Sequence, residues 1–221
     1  MATYDSIINV DEWINDYYFT ADEGESFTKR LGKRVSEWKQ LEKESNIPSP
    51  VKRLQARRNE LQKAFATKVE TAELVRATFN YGTPTKQHYT RAGDTFVYHG
   101  WVGNAGTLVV VSAAPEKPKD GDREVELRTT EEDLTTLPVT GGIAAEDKEP
   151  EQAKVSKLVG DLFLAAEPPE FIVVLAGAWA VLAERESWPL GRYLAVNLQL
   201  AVERNDTKKA GELERVAVIL A

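Results

Sequence analysis

Apolar side chains recur at steps of three and four through Phe27, Leu31, Val35, Trp38 and Leu41, which predicts a helix over 26–44 with one buried stripe. Val51, Leu54, Leu61 and Phe65, with Arg58 on the same side, predict a second helix over 51–68 that continues past a kink towards Phe79. Asn46-Ile-Pro-Ser-Pro50 separates the two, and so short a connection predicts an antiparallel helical hairpin. Ahead of them, 11–19 reads as a short amphipathic helix that docks Trp13, Tyr17 and Tyr18 on the core.

After Pro84 the period changes to two. Strands are predicted at 87–91, 95–102 and 107–113, turning at Gly93-Asp94 and at Gly103-Asn-Ala-Gly106, with a weak strand at 125–128. Residues 137–151, with Gly141-Gly142 and many acids, read as a loop. A helix at 154–166 turns Val155, Leu158, Val159, Leu162 and Phe163 inward and stops at Pro168-Pro169. A hairpin of 171–176 and 178–185 follows, its first arm apolar throughout and so buried on both faces, then a strand at 193–198. A polar turn begins at Glu203, and 210–221 reads as a helix. The expected fold is α+β: an N-terminal helical hairpin, then a mixed β-sheet with flanking helices. Residues 1–82 form the helical region and 83–221 the sheet region, the two free to join in one compact domain. Because the chain stops inside a predicted helix, it is read as a piece of a longer protein.

The bulk numbers allow an ordinary core, with hydrophobic residues at 42% and charged residues at 29%. No apolar run approaches the roughly 20 residues that span a bilayer, so no membrane contact is expected, and a cytoplasmic location is. The absence of cysteine excludes disulfides, thiolate metal sites and cysteine nucleophiles. The net charge of −7 hides two opposite segments. Residues 29–63 hold eleven Lys and Arg against four Glu, whereas 116–151 hold twelve acids against five bases. Lys29, Arg30, Lys33, Arg34, Lys52, Arg53, Arg57 and Arg58 therefore form the candidate DNA-binding set, since phosphate neutralisation needs such a cluster. Glu37, Glu42, Glu44 and Glu60 offset part of it, as on a solvated helix face.

Catalytic chemistry is thin. His88 and His99 could join a metal only with help from carboxylates and read better as strand residues. Gly100, Gly103 and Gly106 lie between strands, where no helix N-terminus can cradle phosphate, and read as turn glycines. Glu167-Pro-Pro-Glu170 lacks the aromatic that would stack on a flipped base and reads as a helix stop. No catalytic residue, metal or cofactor is assigned to this chain.

Asp11-Glu-Trp-Ile-Asn-Asp-Tyr-Tyr-Phe-Thr20 with Gly24-Glu-Ser-Phe27 resembles the start of very large bacterial adenine-specific DNA methyltransferases. These belong with type IIG restriction-modification enzymes and the methylases of DISARM-like and BREX-like phage defence. Pro169-Glu-Phe-Ile-Val-Val-Leu-Ala-Gly177 and Glu184-Arg-Glu-Ser-Trp-Pro-Leu-Gly-Arg-Tyr-Leu-Ala-Val-Asn-Leu198 resemble the segment that precedes their methyltransferase domain. The resemblance implies a parent that uses SAM to methylate adenine N6, with the residues for that chemistry beyond Ala221. It also implies DNA, other domains of the same polypeptide or defence-system subunits as partners.

Some relatives carry a PD-(D/E)xK nuclease in the corresponding region, so a degenerate restriction-endonuclease-like core is a further expectation. The nearest match is Asp94, but the expected acid and lysine fall on Ser112-Ala113-Ala114, which cannot bind metal, and Glu116 and Lys117 are displaced past Pro115. The alternatives are a Mg-dependent nuclease domain and an interaction module without DNA that uses Trp13, Trp188 and the acidic loop. Trp188 and Arg192 suit either an interface or the anchoring of a loop, with Arg192 stacked on an aromatic.

Overall fold

The computed structural model describes residues 5–21, 25–68, 71–114, 134–146 and 148–221. The helices are α1 (Asp16–Thr20), α2 (Phe27–Ser45), α3 (Pro50–Ala56), α4 (Arg58–Thr67), α5 (Thr71–Phe79), α6 (Val155–Phe163), α7 (Leu198–Arg204) and α8 (Glu212–Leu220). The strands are β1 (Ile7–Val10), β2 (Thr85–Arg91), β3 (Asp94–Gly103), β4 (Leu108–Ala113), β5 (Ile143–Ala145), β6 (Phe171–Ala176), β7 (Trp179–Glu184) and β8 (Tyr193–Asn197). The α+β expectation is met: one mixed sheet runs β1-β8-β7-β6-β4-β3-β2, with β5 added on β3. Its described neighbours are antiparallel except β4 and β6, which run parallel. A parallel pair needs a crossover, and α6 lies within it.

Alternation along the strands assigns the two faces. Val109, Val111, Ile172 and Val174 pack under α6 with Leu158, Val159 and Leu162. Val110, Val173 and Leu175 point the other way, to Leu54, Leu61, Phe65 and Val75 of α3–α5 and to Leu213 and Val216 of α8. The helical region and the sheet region thus share one core. α2 and α3, the arms of the expected N-terminal hairpin, are joined through 46–49 and each lies on α8. Phe27, Leu31, Val35 and Trp38 of α2 close on Ala217, so α8 is covered on both sides.

Local chemistry explains most departures from the sequence reading. The expected helix at 11–19 begins only at Asp16, because Asp11 and Glu12 take positive φ (48° and 50°). The Asn9 side chain braces the turn, Oδ1 accepting from Ile14 N at 3.0 Å and Nδ2 donating to Ile14 O at 2.5 Å. This frees 7–10 to become an unexpected edge strand beside β8. The segment read as a loop at 137–151 contains β5, paired with β3 at 96–98. The strand expected to end at 198 stops at Asn197, whose side chain accepts from Leu200 N at 3.0 Å and caps α7, which the sequence reading missed. The weak strand at 125–128 lies outside the described residues.

Glycine is required on either side of Trp101. A Cβ on Gly82 would stand 2.1 Å from the indole nitrogen, and one on Gly103 would stand 2.2 Å from its far ring edge. The indole, tilted against Tyr81 with centroids 5.7 Å apart, closes the end of the core where Tyr81 donates to the Leu220 carbonyl.

Candidate nucleic-acid interface

α2 is built to display charge. Ser26 Oγ accepts from Lys29 N at 3.3 Å to start it, and Asn46 ends it in the left-handed region at φ 55°. With the Phe27-to-Trp38 stripe buried, Lys29, Arg30, Lys33 and Arg34 emerge beside it. They line an open groove of about 830 Å³ with Glu25, Glu37, Val218 and Ala221. Lys29 pairs with Glu25 at 3.2 Å and Arg34 with Glu37 at 3.3 Å, both between exposed side chains. Arg30 lies 6.0 Å from the Tyr18 ring centre and Arg34 5.5 Å from that of Trp38, contacts that hold the guanidinium stems in place. Lys33 has no ion pair among the described residues. Exposed pairs of this kind are worth about 0–1 kcal/mol, so a phosphate can displace them at little cost.

The structure splits the rest of the basic set away from this groove. Lys52 of α3 is neutralised by Glu42 at 2.7 Å, and Glu42 stands roughly 12 Å along α2 from Arg34 by helical rise. Arg53 points inward: Nε donates to Thr78 O at 2.7 Å and Nη1 to Pro48 O at 2.8 Å. Arg58 caps the C-terminus of α7 through Val202 O at 2.8 Å. Arg57 lines a separate groove between α4 and α5 with Glu60, Lys63 and Glu73. Their partners lie as far as 145 residues away in the chain, which no local pattern reveals.

Glu42 joins the end of α2 to the start of α3. Burial raises its pKa, but hydrogen bonds from Lys52 Nζ and from Ser49 N (2.7 Å) outweigh that and hold it at about 2. A depressed acid stabilises the fold above its ordinary value and loses that contribution as it protonates. The urea midpoint should therefore fall as pH drops from 4.5 towards about 2. Glu42→Gln should flatten that part of the curve and leave the rest of the profile in place.

Among the described residues the nuclease-like position does not assemble. Asp94 is exposed at the β2–β3 hairpin, opposite Arg91, while β3 and β4 pair only through 101–103. Ser112 Oγ accepts from Arg76 Nη1 at 3.0 Å instead of holding a metal. Glu116 and Lys117 lie outside the described residues, among which no group of three or more His, Asp or Glu could hold a metal ion. His88 and His99 are exposed on one face of that hairpin.

Trp188 opens a 3-10 turn, packs against the core below α6, and meets Tyr193 at 5.6 Å. The Glu184 carboxylate fixes the turn by accepting from Ser187 Oγ at 2.6 Å, Ser187 N at 3.0 Å and Glu186 N at 3.1 Å. Burial opposes its ionisation, but these bonds lower its pKa overall. The expected stacking of Arg192 on an aromatic is not seen among the described residues: its side chain is exposed and its backbone N–H donates to Ser187 O at 3.2 Å. Among the described residues, no helix is long and apolar enough to cross a membrane.

The sequence reading passed over Asp161, Arg215 and Glu212, each a buried charge. Asp161 had a visible signal, since it interrupts the apolar stripe of α6 at an inward position. No protein family, curated protein or solved structure matches this chain.

Proposed function

We propose that this chain is a non-catalytic module that holds DNA for a SAM-dependent adenine-specific DNA methyltransferase of a restriction-modification or phage-defence system, working in the cytoplasm. The observation that carries the DNA contact is the Lys29, Arg30, Lys33 and Arg34 row on one groove wall. The methyltransferase context rests on the sequence resemblance, and SAM is assigned to the rest of the parent polypeptide. Cleavage is not assigned to it, because Ser112-Ala113-Ala114 stands where a metal-binding acid and lysine would be needed.

The test is the salt dependence of duplex binding by the whole chain, read by fluorescence anisotropy. Four phosphate contacts give a slope of log K against log salt of about −3.6, or about 150-fold weaker binding at 200 mM than at 50 mM salt. Lys33→Ala should reduce the slope by about one, uniformly across DNA sequences. A slope near zero, or no binding at 50 mM salt, overturns the DNA role.

A further inference from the structure

We propose that the outer edge of β2 is a docking site for an extended acidic peptide strand of a partner protein. The hairpin β2–β3 turns through Ala92 (φ 52°) and Gly93 (φ 93°), with Arg91 facing Asp94 across the closing pair. Positive φ at both central residues marks the tight turn whose twist suits a two-residue hairpin. Thr90 O is turned away from β3, since it accepts from Ala166 N at 2.9 Å. Backbone groups alternate sides along a strand, so the N–H and C=O of His88 and Lys86 point outward as well. Among the described residues no strand pairs with that edge, and the Ala166 N–H is the backbone donor seen on it. The open stretch from Thr85 to Tyr89 is about 17 Å long, enough for a strand of ordinary length.

Charge decides what fits. Lys86 and His88 share one face of the hairpin with His99 across from Lys86, and all three are exposed. Thr90, Thr95 and the buried Val97 complete that face of the hairpin; the acid nearest to it by register is Glu146, opposite Thr95 and on the far side of β3 from the open edge, and Lys86 forms no ion pair among the described residues. Arg91, on the opposite face, is already held by Asp161. A strand with carboxylates at alternate positions satisfies the outward N–H and C=O groups, the Lys86 ammonium and the imidazole N–H donors of His88 and His99 beside it. A nucleic-acid backbone fits worse, because phosphate only accepts hydrogen bonds and the edge presents carbonyl acceptors as often as donors.

The probe is a blocked peptide of alternating valine and glutamate, with a valine–lysine peptide as control, titrated against the whole chain by calorimetry. Binding of the glutamate peptide alone is expected. His88→Pro should weaken it about tenfold, the loss of about one hydrogen bond. Its outward N–H takes no part in the ladder, so circular dichroism and the melting temperature should hold. Lys86→Glu should weaken it at least as much. Independently of any variant, peptide should slow hydrogen exchange at the Lys86 and His88 amides of the unmodified chain. Equal binding of both peptides, or no change in exchange at those amides, overturns the proposal and leaves Lys86 as a guard against edge pairing. So does self-association through β2, seen by sedimentation and abolished by His88→Pro.

Discussion

Replacing Arg91 and Lys157 together with methionine is expected to destabilise the protein by about 3–5 kcal/mol, measured by urea unfolding. Both donate to Asp161, Lys157 at 2.5 Å, and Tyr89 donates at 3.1 Å. Asp161 is 5% exposed at its side chain, whereas Arg91 is 42% and Lys157 57% exposed. The asymmetry sets the prediction: the cations can return to water, but the acid cannot. Stripping the cations strands a buried charge with one phenol for company. Either single substitution should cost less, about 1–2 kcal/mol, because the remaining cation still answers the carboxylate. Adding Asp161→Asn to the double variant should recover most of the loss. A triple variant as unstable as the double one would show that the loss came from packing and not from charge.

Arg215→Ala is expected to cost about 2–4 kcal/mol and to lower the melting temperature by about 4–16 °C. This arginine is 3% exposed although it lies on α8 between two helical layers. Its fork donates to Ala210 O at 3.0 Å, Phe19 O at 3.4 Å and Thr28 Oγ1 at 3.0 Å. Its plane lies 5.3 Å from the centre of Phe27, which also meets Phe19 at 4.9 Å. One side chain thus ties α1 and the first turn of α2 to α8. Its loss leaves two carbonyls unpaired and removes the stacked plane. Arg215→Lys should not rescue, because an ammonium cannot reproduce the fork. Amide exchange should rise first in α1 and the start of α2. Since Lys29 and Arg30 stand on that turn, the proposed DNA affinity should fall in the same variant although Arg215 does not line the groove.

The helix and strand assignments that were legible share a cause. In α2 and α6 one buried face repeats at the helical period, and β6 is a short apolar run buried on both faces, so the apolar pattern carries the answer by itself. The elements that were missed are short and held by polar side chains or by neighbours distant in sequence. β1 exists because β8 pairs with it, and β5 because β3 does. α7 exists because Asn197 caps it. The basic set divides the same way. Lys29, Arg30, Lys33 and Arg34 are neighbours on one helix, so helical spacing alone places them together. Arg53 and Arg58 look the same in composition but serve carbonyls on α5 and α7.

By itself, then, the sequence determined the α+β class, the order of the long elements, the basic character of α2 and the lack of an acid–lysine pair after Asp94. These follow from local periodicity and residue chemistry, which need no folded partner. Tertiary structure alone decided which cations of the basic set line the groove on α2, that α8 is buried between two layers, and that Asp161 and Arg215 are charges inside the protein. It also decided that β2 stands as an open edge among the described residues. Each depends on which distant segment packs against which, and that choice is made by burial summed over the whole core, beyond the reach of any one stretch of chain.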